Sequence, residues 1–439
     1  MKTKVNNAKR MGHGGVTAQA ALRDAHRFLL NTYKRAPIVF VRAKGCTIVD
    51  ADGKKYLDFL GGIAVNALGH GHPRIVRTIR REAGRAIHFS NLYHHLWQGP
   101  LGRKLASWSG MDRVFFTNSG TEAIEGALKL ARLYTRRQNG GSRASGKPGI
   151  LALDNSFHGR TFGALSITST RKYREPFEPL LPGVQFVCFN DVADLEAKFD
   201  ATIGAVVIEP LQGEGGIHAV SDAFWNRARE LATQHGAALV ADEIQCGLGR
   251  TGRYFAYQRF AARPDIVVVA KPLAGGLPLG AVLVNDAIAS AVSPGVHGTT
   301  FGGGPLTCAV ALEFLKTVDE EKLLGKIQER GRELRAGLIK LQRKFDFIRE
   351  VRGEGLMVGV ELSIEGAPFV TEALRSGVLI NCTHDYVLRF LPPFTVTSRE
   401  IGQFLSKLET VFAKTPRTAL LPAMNSSAVA KARALAVAR

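Results

Sequence analysis

Short apolar runs in the middle of this 439-residue chain end on ionisable residues: Asp154, Glu209, Asp242 with Glu243, and Lys271. A lysine directly after Val267-Val268-Val269-Ala270 would finish a buried strand with an ammonium group. Burial lowers the pKa of such a group and frees its lone pair, which is what imine chemistry with an aldehyde requires. An aspartate one strand away offers a carboxylate to a cationic pyridine nitrogen, so Lys271 and Asp242 together suit pyridoxal phosphate. That cofactor also needs a phosphate site. Asn118-Ser119-Gly120-Thr121-Glu122 follows an apolar run ending at Thr117 and opens a helix, so the amides of Gly120 and Thr121 would face an anion. Ser119 and Glu122 have capping-box spacing, and Ile124, Ala127, Leu128 and Ala131 give the helix one apolar face. Singly, these features read as a salt bridge and an ordinary helix cap. Their coincidence is what points to a cofactor.

Several elements must hold these residues in register. Between about 110 and 300, β-branched runs alternate with helical stretches, the pattern of βαβ units around a mostly parallel sheet. The spacing predicts strands at Arg113–Thr117, Ile150–Asp154, Ala205–Glu209, Ala238–Asp242, Ile266–Ala270 and Gly280–Val284, with helices at Thr121–Arg136 and Asp222–His235. The runs are mostly apolar rather than alternating, as strands covered on both faces should be. In such sheets, ligands bind beyond the C-terminal strand ends. Residues 28–74 read as a hairpin, Ile38–Arg42 with Cys46–Asp50, and as the first part of a smaller α/β domain. Residues 75–305 form the large domain. Residues 306–413, with a long helical region over Leu306–Lys344 and strands at Gly355–Leu362 and Val387–Leu391, complete the smaller one. Residues 1–27 and 414–439 read as basic tails, and Asn139–Lys147 as a surface loop.

Other functions are excluded or weakened by composition. The net charge of +20 suggests polyanions, but residues 1–27 and 410–439 each contribute five of it. No aromatic or Cys/His pattern of a nucleic-acid binder accompanies the rest, so a basic nucleic-acid-binding protein is the weaker alternative. No apolar run approaches the roughly 18 residues of a membrane span. The five cysteines lack any C-x-x-C pair, consistent with reduced thiols in the cytoplasm and no structural metal. His70 and His72 have H-x-H spacing without a third ligand motif, and the adjacent His94 and His95 have no assignable role. The N-terminus lacks the apolar core of a secretory signal, and Asp24 and sparse serines weigh against a transit peptide. Gly141–Lys147 resembles a P-loop, but Pro148 replaces its Ser/Thr and a strand follows it. Gly247-Leu248-Gly249-Arg250-Thr251-Gly252 matches G-x-G-x-x-G but has no strand-ending acid about 20 residues on.

Taken in order, the motifs resemble the class III, ω-amino-acid type aminotransferases of fold type I. The resemblance rests on Tyr56–Asn66, Gly69-His70-Gly71-His72-Pro73, Asn118–Ala123 and Phe157-His158-Gly159-Arg160-Thr161. It continues through Glu209–Gly215, Asp242-Glu243-Ile244-Gln245, Ala270–Gly276, His297–Phe301 and Leu388–Pro392. It spans about Tyr33 to Phe412. It implies a seven-stranded large domain with a smaller domain from both chain ends, and pyridoxal phosphate carried covalently by Lys271. Asp242 would keep the ring nitrogen protonated, Gln245 would reach the ring hydroxyl and Phe157 would stack on the ring. Gly120 and Thr121 would bind the phosphate, with Thr300 supplied by a neighbouring subunit, which implies a homodimer with shared sites. Arg160 would clasp a substrate α-carboxylate with Thr299 alongside. Arg389 would receive a 2-oxoglutarate carboxylate, and Glu214 would mask Arg389 when an uncharged side chain must fit. The implied reaction is transamination from the terminal amine of N2-acetylornithine to 2-oxoglutarate, a step of arginine biosynthesis. Ornithine, 4-aminobutyrate or a carrier-linked lysine are alternative donors. Gly62-Ile63, lacking the aromatic that resemblance would call for in an ornithine enzyme, favours acetylornithine.

Overall fold

The computed structural model describes residues 16–138, 140 and 147–415. Much of the two basic tails, and of the Asn139–Lys147 loop with its P-loop-like run, lies outside the described residues. Part of the stretch read as an N-terminal tail is a helix, Ala18–Phe28, capped by Thr17 and with no buried residue.

Three antiparallel strands open the chain: β1 (Phe40–Lys44), β2 (Thr47–Asp50) and β3 (Lys55–Asp58). Seven strands then build the central sheet: β4 (Arg113–Thr117), β5 (Gly149–Leu153), β6 (Val184–Val187), β7 (Ile203–Ile208), β8 (Ala238–Asp242), β9 (Ile266–Val269) and β10 (Gly280–Val284). Their order is β4-β10-β9-β8-β7-β5-β6. Only β10 runs against its neighbours, β4 and β9. β5, β7, β8, β9 and β10 are buried along their whole length, which explains their unbroken apolar runs. Helix Gly120–Gln138 buries Ile124, Ala127, Leu128 and Ala131 against this sheet. Each such side chain contributes about 1.5–3 kcal/mol by leaving water, less for alanine. Helix Asp222–His235 starts where the Ser221 side chain accepts from Phe224 N and stops at Gly236, which takes φ 60°.

The C-terminal part adds β11 (Ile348–Glu354), β12 (Met357–Leu362), β13 (Val378–Leu379), β14 (Asn381–Thr383) and β15 (Val387–Phe390). β13 pairs in parallel with β3, so one four-stranded sheet draws on both ends of the chain. β11, β12, β15 and β14 form a second. The long helical region is two helices, Pro305–Glu320 and Leu323–Gln342, broken where Lys322 takes φ 52°. Among the described residues, no helix is long and apolar enough to cross a membrane.

Candidate active site

The parallel strands deliver Thr117, Leu153, Ile208, Asp242 and Val269 to one sheet edge, and a cavity of about 450 Å³ lies beyond it. Its wall includes Asn118–Thr121, Phe157–Arg160, Glu209, Asp242, Ile244, Gln245 and Lys271. Most residues singled out by type and spacing thus converge.

Lys271 follows β9 and faces this cavity. Burial lowers its ammonium pKa, with the Glu214, Asp242 and Glu209 carboxylates acting in the opposite sense. Asp242 is buried at the end of β8. Its Oδ1 accepts from Ile244 N at 3.0 Å, and its Oδ2 accepts from His158 Nδ1 at 2.6 Å. Burial alone would lower His158, yet the bond and charge of Asp242 raise its pKa above the ordinary histidine value. The pair therefore presents the Asp242 carboxyl held from behind by the His158 imidazole. His158 was unassigned in the sequence, although it lies beside Phe157 in a quoted motif. Glu209, likewise unassigned, accepts from Phe157 N at 3.0 Å and Gly213 N at 2.9 Å, fixing the Phe157 loop. Desolvation pushes its carboxyl up to about 7.

The His158 shift has a testable sign. A group whose folded pKa is raised adds stability that is complete below its unfolded value, about 6.5, and is lost as pH rises through the folded value. In cofactor-free protein, H158Q is expected to lower Tm most at pH 6 and progressively less towards pH 9. Thermal melts across that range check it, and a gap that widens with pH would refute the assignment.

At the anion end, the first-turn amides of helix Gly120–Gln138 have no partner within the helix. The capping box is only half as expected. Ser119 Oγ accepts from Glu122 N at 3.3 Å, but Glu122 Oε2 accepts from Asn118 N at 2.8 Å and Asn118 Nδ2 at 2.9 Å. The carboxylate thus reaches one residue further back, leaving the Ser119 amide unclaimed by it. A Cβ on Gly120 would stand 2.9 Å from Ile244 Cδ1, so glycine lets this turn approach the segment after Asp242. The Thr121 hydroxyl faces the Phe157 loop, sharing a 2.8 Å bond with Thr161 Oγ1. Its amide, rather than its hydroxyl, is the group free for an anion.

Phe157 lines the cavity, and the Arg160 guanidinium lies 3.6 Å over the Tyr173 ring at its exposed rim. Arg389, on β15, is fully buried. Its Nη1 donates to Glu214 Oε1 at 2.6 Å and to Gln245 Oε1 at 2.9 Å, while its buried Nη2 has no partner. Burial would raise the Glu214 carboxyl, but Arg389 overrides this and holds it below the usual range. Gln245, which also lines the cavity, joins this pair to it. Two residues lie elsewhere. Thr299 does not stand alongside Arg160: its Oγ1 accepts from Asn118 Nδ2 at 3.2 Å, and Asn91 Nδ2 donates to its carbonyl at 3.0 Å. These tethers place it on a second cavity with His94, His95 and Arg103. Thr300 is exposed and is not part of its own chain's cavity wall.

The residues present fit pyridoxal phosphate. An amine whose charged form burial disfavours, a buried carboxyl on the next strand, an aromatic face and a helix turn closed to any Cβ match its aldehyde, ring nitrogen, ring face and phosphate. Among the described residues, no cluster of His, Cys, Asp and Glu could hold a metal ion.

The chain belongs to the class III aminotransferases, whose family model, Aminotransferase class-III, matches residues 29–412. It is 46% identical over 388 residues to the acetylornithine aminotransferase of Methanocaldococcus jannaschii, covering 88% of this chain and 96% of that one. Among solved structures it is similar to acetylornithine aminotransferase from Elizabethkingia anophelis (TM-score 0.80, 30% identity, 90% and 99% covered). It is also similar to a Toxoplasma gondii ornithine aminotransferase in which PLP partially occupies the active site (TM-score 0.85, 32% identity, 91% and 95% covered).

Proposed function

We propose that this chain transfers the terminal amino group of N2-acetylornithine to 2-oxoglutarate, giving N-acetylglutamate semialdehyde and glutamate, with pyridoxal phosphate as cofactor. The observation that carries this reading is a buried arginine closed by an acid, Arg389 with Glu214, linked through Gln245 to the Lys271–Asp242 cavity. The acetylornithine aminotransferase names of relatives at 41–46% identity support the choice of donor.

Bound pyridoxal phosphate supplies a protonated ring that takes up the electron pair left behind when a proton leaves the substrate carbon. Every other task falls to the chain. Lys271 anchors the cofactor and moves that proton at Nζ, for which its lowered pKa suits it. Asp242, backed by His158, keeps the ring nitrogen protonated. Gly120 and Thr121 hold the phosphate by their amides, Phe157 covers the ring, and the Gln245 side-chain amide reaches the ring hydroxyl. Arg160 clasps the donor's α-carboxylate, bidentate pairing fixing its orientation. The donor's far end brings no carboxylate, so Glu214 neutralises Arg389. When 2-oxoglutarate enters, Glu214 yields and Arg389 binds its second carboxylate. One site thus accepts two unlike substrates by moving an acid rather than by adding apolar contacts.

The same reading makes the chain a cytoplasmic homodimer in which Thr300 completes the partner's phosphate site. Phe89, Leu92, Tyr93, Leu96 and Phe301 are large apolar residues exposed near this loop, as an unpaired interface would leave them. Within each protomer, residues 75–305 form the cofactor domain, and 28–74 with 306–413 the smaller one.

A donor panel against 2-oxoglutarate tests the substrate. Acetylornithine is expected to give the highest kcat/KM, and a higher value with ornithine, 4-aminobutyrate or a carrier-linked lysine would overturn the choice. For Arg389→Gln, the KM for 2-oxoglutarate is expected to rise about 10–100-fold, with the acetylornithine half-reaction changed little. Stopped-flow measurement of each half-reaction checks this, and equal losses in both would remove Arg389 from its role.

A further inference from the structure

The G-x-G-x-x-G run at 247–252 is unused by the reaction described above, and it contains a fully buried arginine. Arg250 is fully buried, and among the described residues no carboxylate pairs with it. Its Nη1 donates to Pro392 O at 2.5 Å and Leu356 O at 3.2 Å, and its own carbonyl accepts from Leu356 N at 3.0 Å. Its guanidinium sits 4.6 Å from the Phe394 ring centroid. Nε and Nη2 have no partner. Burial without a counter-ion depresses its pKa, to about 9. A buried cation of this kind is poor evidence of stabilisation, because the desolvation penalty is incompletely repaid.

Its location gives it another use. Pro392 lies three residues beyond Arg389, just past the end of β15, and Leu356 immediately precedes β12. β12 and β15 pair with Gly359 opposite Arg389. Arg250 itself lies five residues after Gln245, the shared contact of Arg389 and the cofactor cavity. We propose that Arg250 is a positioning residue for Arg389, locking the end of the strand that carries it against the segment that carries Asp242 and Gln245. The glycines permit this approach: Gly249 takes φ 106°, and a Cβ there would stand 3.2 Å from the Phe394 ring. The inference rests on the assignment of Arg389 to the acceptor carboxylate.

The test compares Arg250→Met, Arg250→Lys and Arg389→Gln in the cofactor-loaded enzyme. Stopped-flow gives the two half-reactions, and calorimetry gives the Kd of glutarate, an unreactive dicarboxylate. Misplacing an aligned group by about 1 Å costs up to about 100-fold, so Arg250→Met is expected to raise the glutarate Kd and the 2-oxoglutarate KM about tenfold or more. The acetylornithine half-reaction should stay within about twofold. Arg250→Lys keeps the charge and one donor group, and is expected to show a rise of about threefold in the same half-reaction only. Equal losses in both half-reactions, or wild-type glutarate binding, would overturn the proposal. Should Arg250→Met fail to fold, Arg250→Lys decides alone: a wild-type glutarate Kd there refutes it. If Arg389→Gln leaves glutarate binding unchanged, the assignment of Arg389 fails instead.

Discussion

Lys271→Ala is expected to reduce turnover by at least about four orders of magnitude and to abolish the absorbance band near the visible edge. Both effects follow from one atom. Nζ stands in the cavity beyond β9, where burial lowers its pKa and leaves its lone pair available. No neighbouring side chain offers a replacement amine: the other wall residues named above are acids, amides, hydroxyls, glycines, the apolar Phe157 and Ile244, the His158 imidazole tied to Asp242, and Arg160 at the rim. Added cofactor should still bind through the helix turn at Ser119–Thr121, so the variant is expected to lose covalent attachment before it loses affinity. Spectra before and after hydroxylamine, together with single-turnover assays, decide the matter. Retention of the band and of turnover would end the assignment.

Asp242→Asn is expected to lower kcat by about 10²–10⁴-fold while leaving the fold intact. Asparagine preserves size, so the Ile244 amide keeps an acceptor, but the negative charge opposing the ring nitrogen disappears. His158 would lose the partner that raises its pKa, and its imidazole would become neutral inside the protein. H158Q should be milder in rate than Asp242→Asn, since it removes the support and not the charge. Steady-state kinetics with a thermal melt for each variant separates the cases. A rate loss from His158→Gln as large as that from Asp242→Asn would mean that the imidazole acts directly.

Much of this arrangement was legible because chemistry fixed both residue type and position. β8 and β10 have the bounds their apolar runs announce, since a strand covered on both faces is mostly Val, Ile, Leu and Ala, and β4 has them although it lies at the sheet edge. Lys271 and Asp242 stood out because an ionisable residue at the end of such a run needs a reason. β6 gives no such signal: Val184-Gln185-Phe186-Val187 lies at the sheet edge and carries a polar residue. β11 is silent for a similar reason, Ile348–Glu354 being charged and half exposed. Gly61 and Gly62 announce a turn, but Ile63 and Ala64 also take positive φ, 59° and 67°, and only the Asp58 carboxylate receiving the Leu60 and Gly61 amides accounts for it. The Arg250 contacts reach Leu356 and Pro392, over a hundred residues away in sequence, where no local pattern could point to them.

The parallel pairing of β3 with β13 also bears on how the chain comes to exist. Leu57 lies opposite Val378, and Phe59 stacks on Phe404 at 3.8 Å. During synthesis the N-terminal hairpin emerges long before the strand that completes its sheet. The central sheet, β4 to β10, has all its strands by residue 284 and can assemble first. The hairpin's edge must wait exposed while the 319 residues between Asp58 and Val378 are made, a state open to pairing with other chains. Truncation between β10 and β13 should therefore cost soluble yield more than it disturbs the Lys271–Asp242 cavity, and refolding should show a slow late phase as the two ends meet.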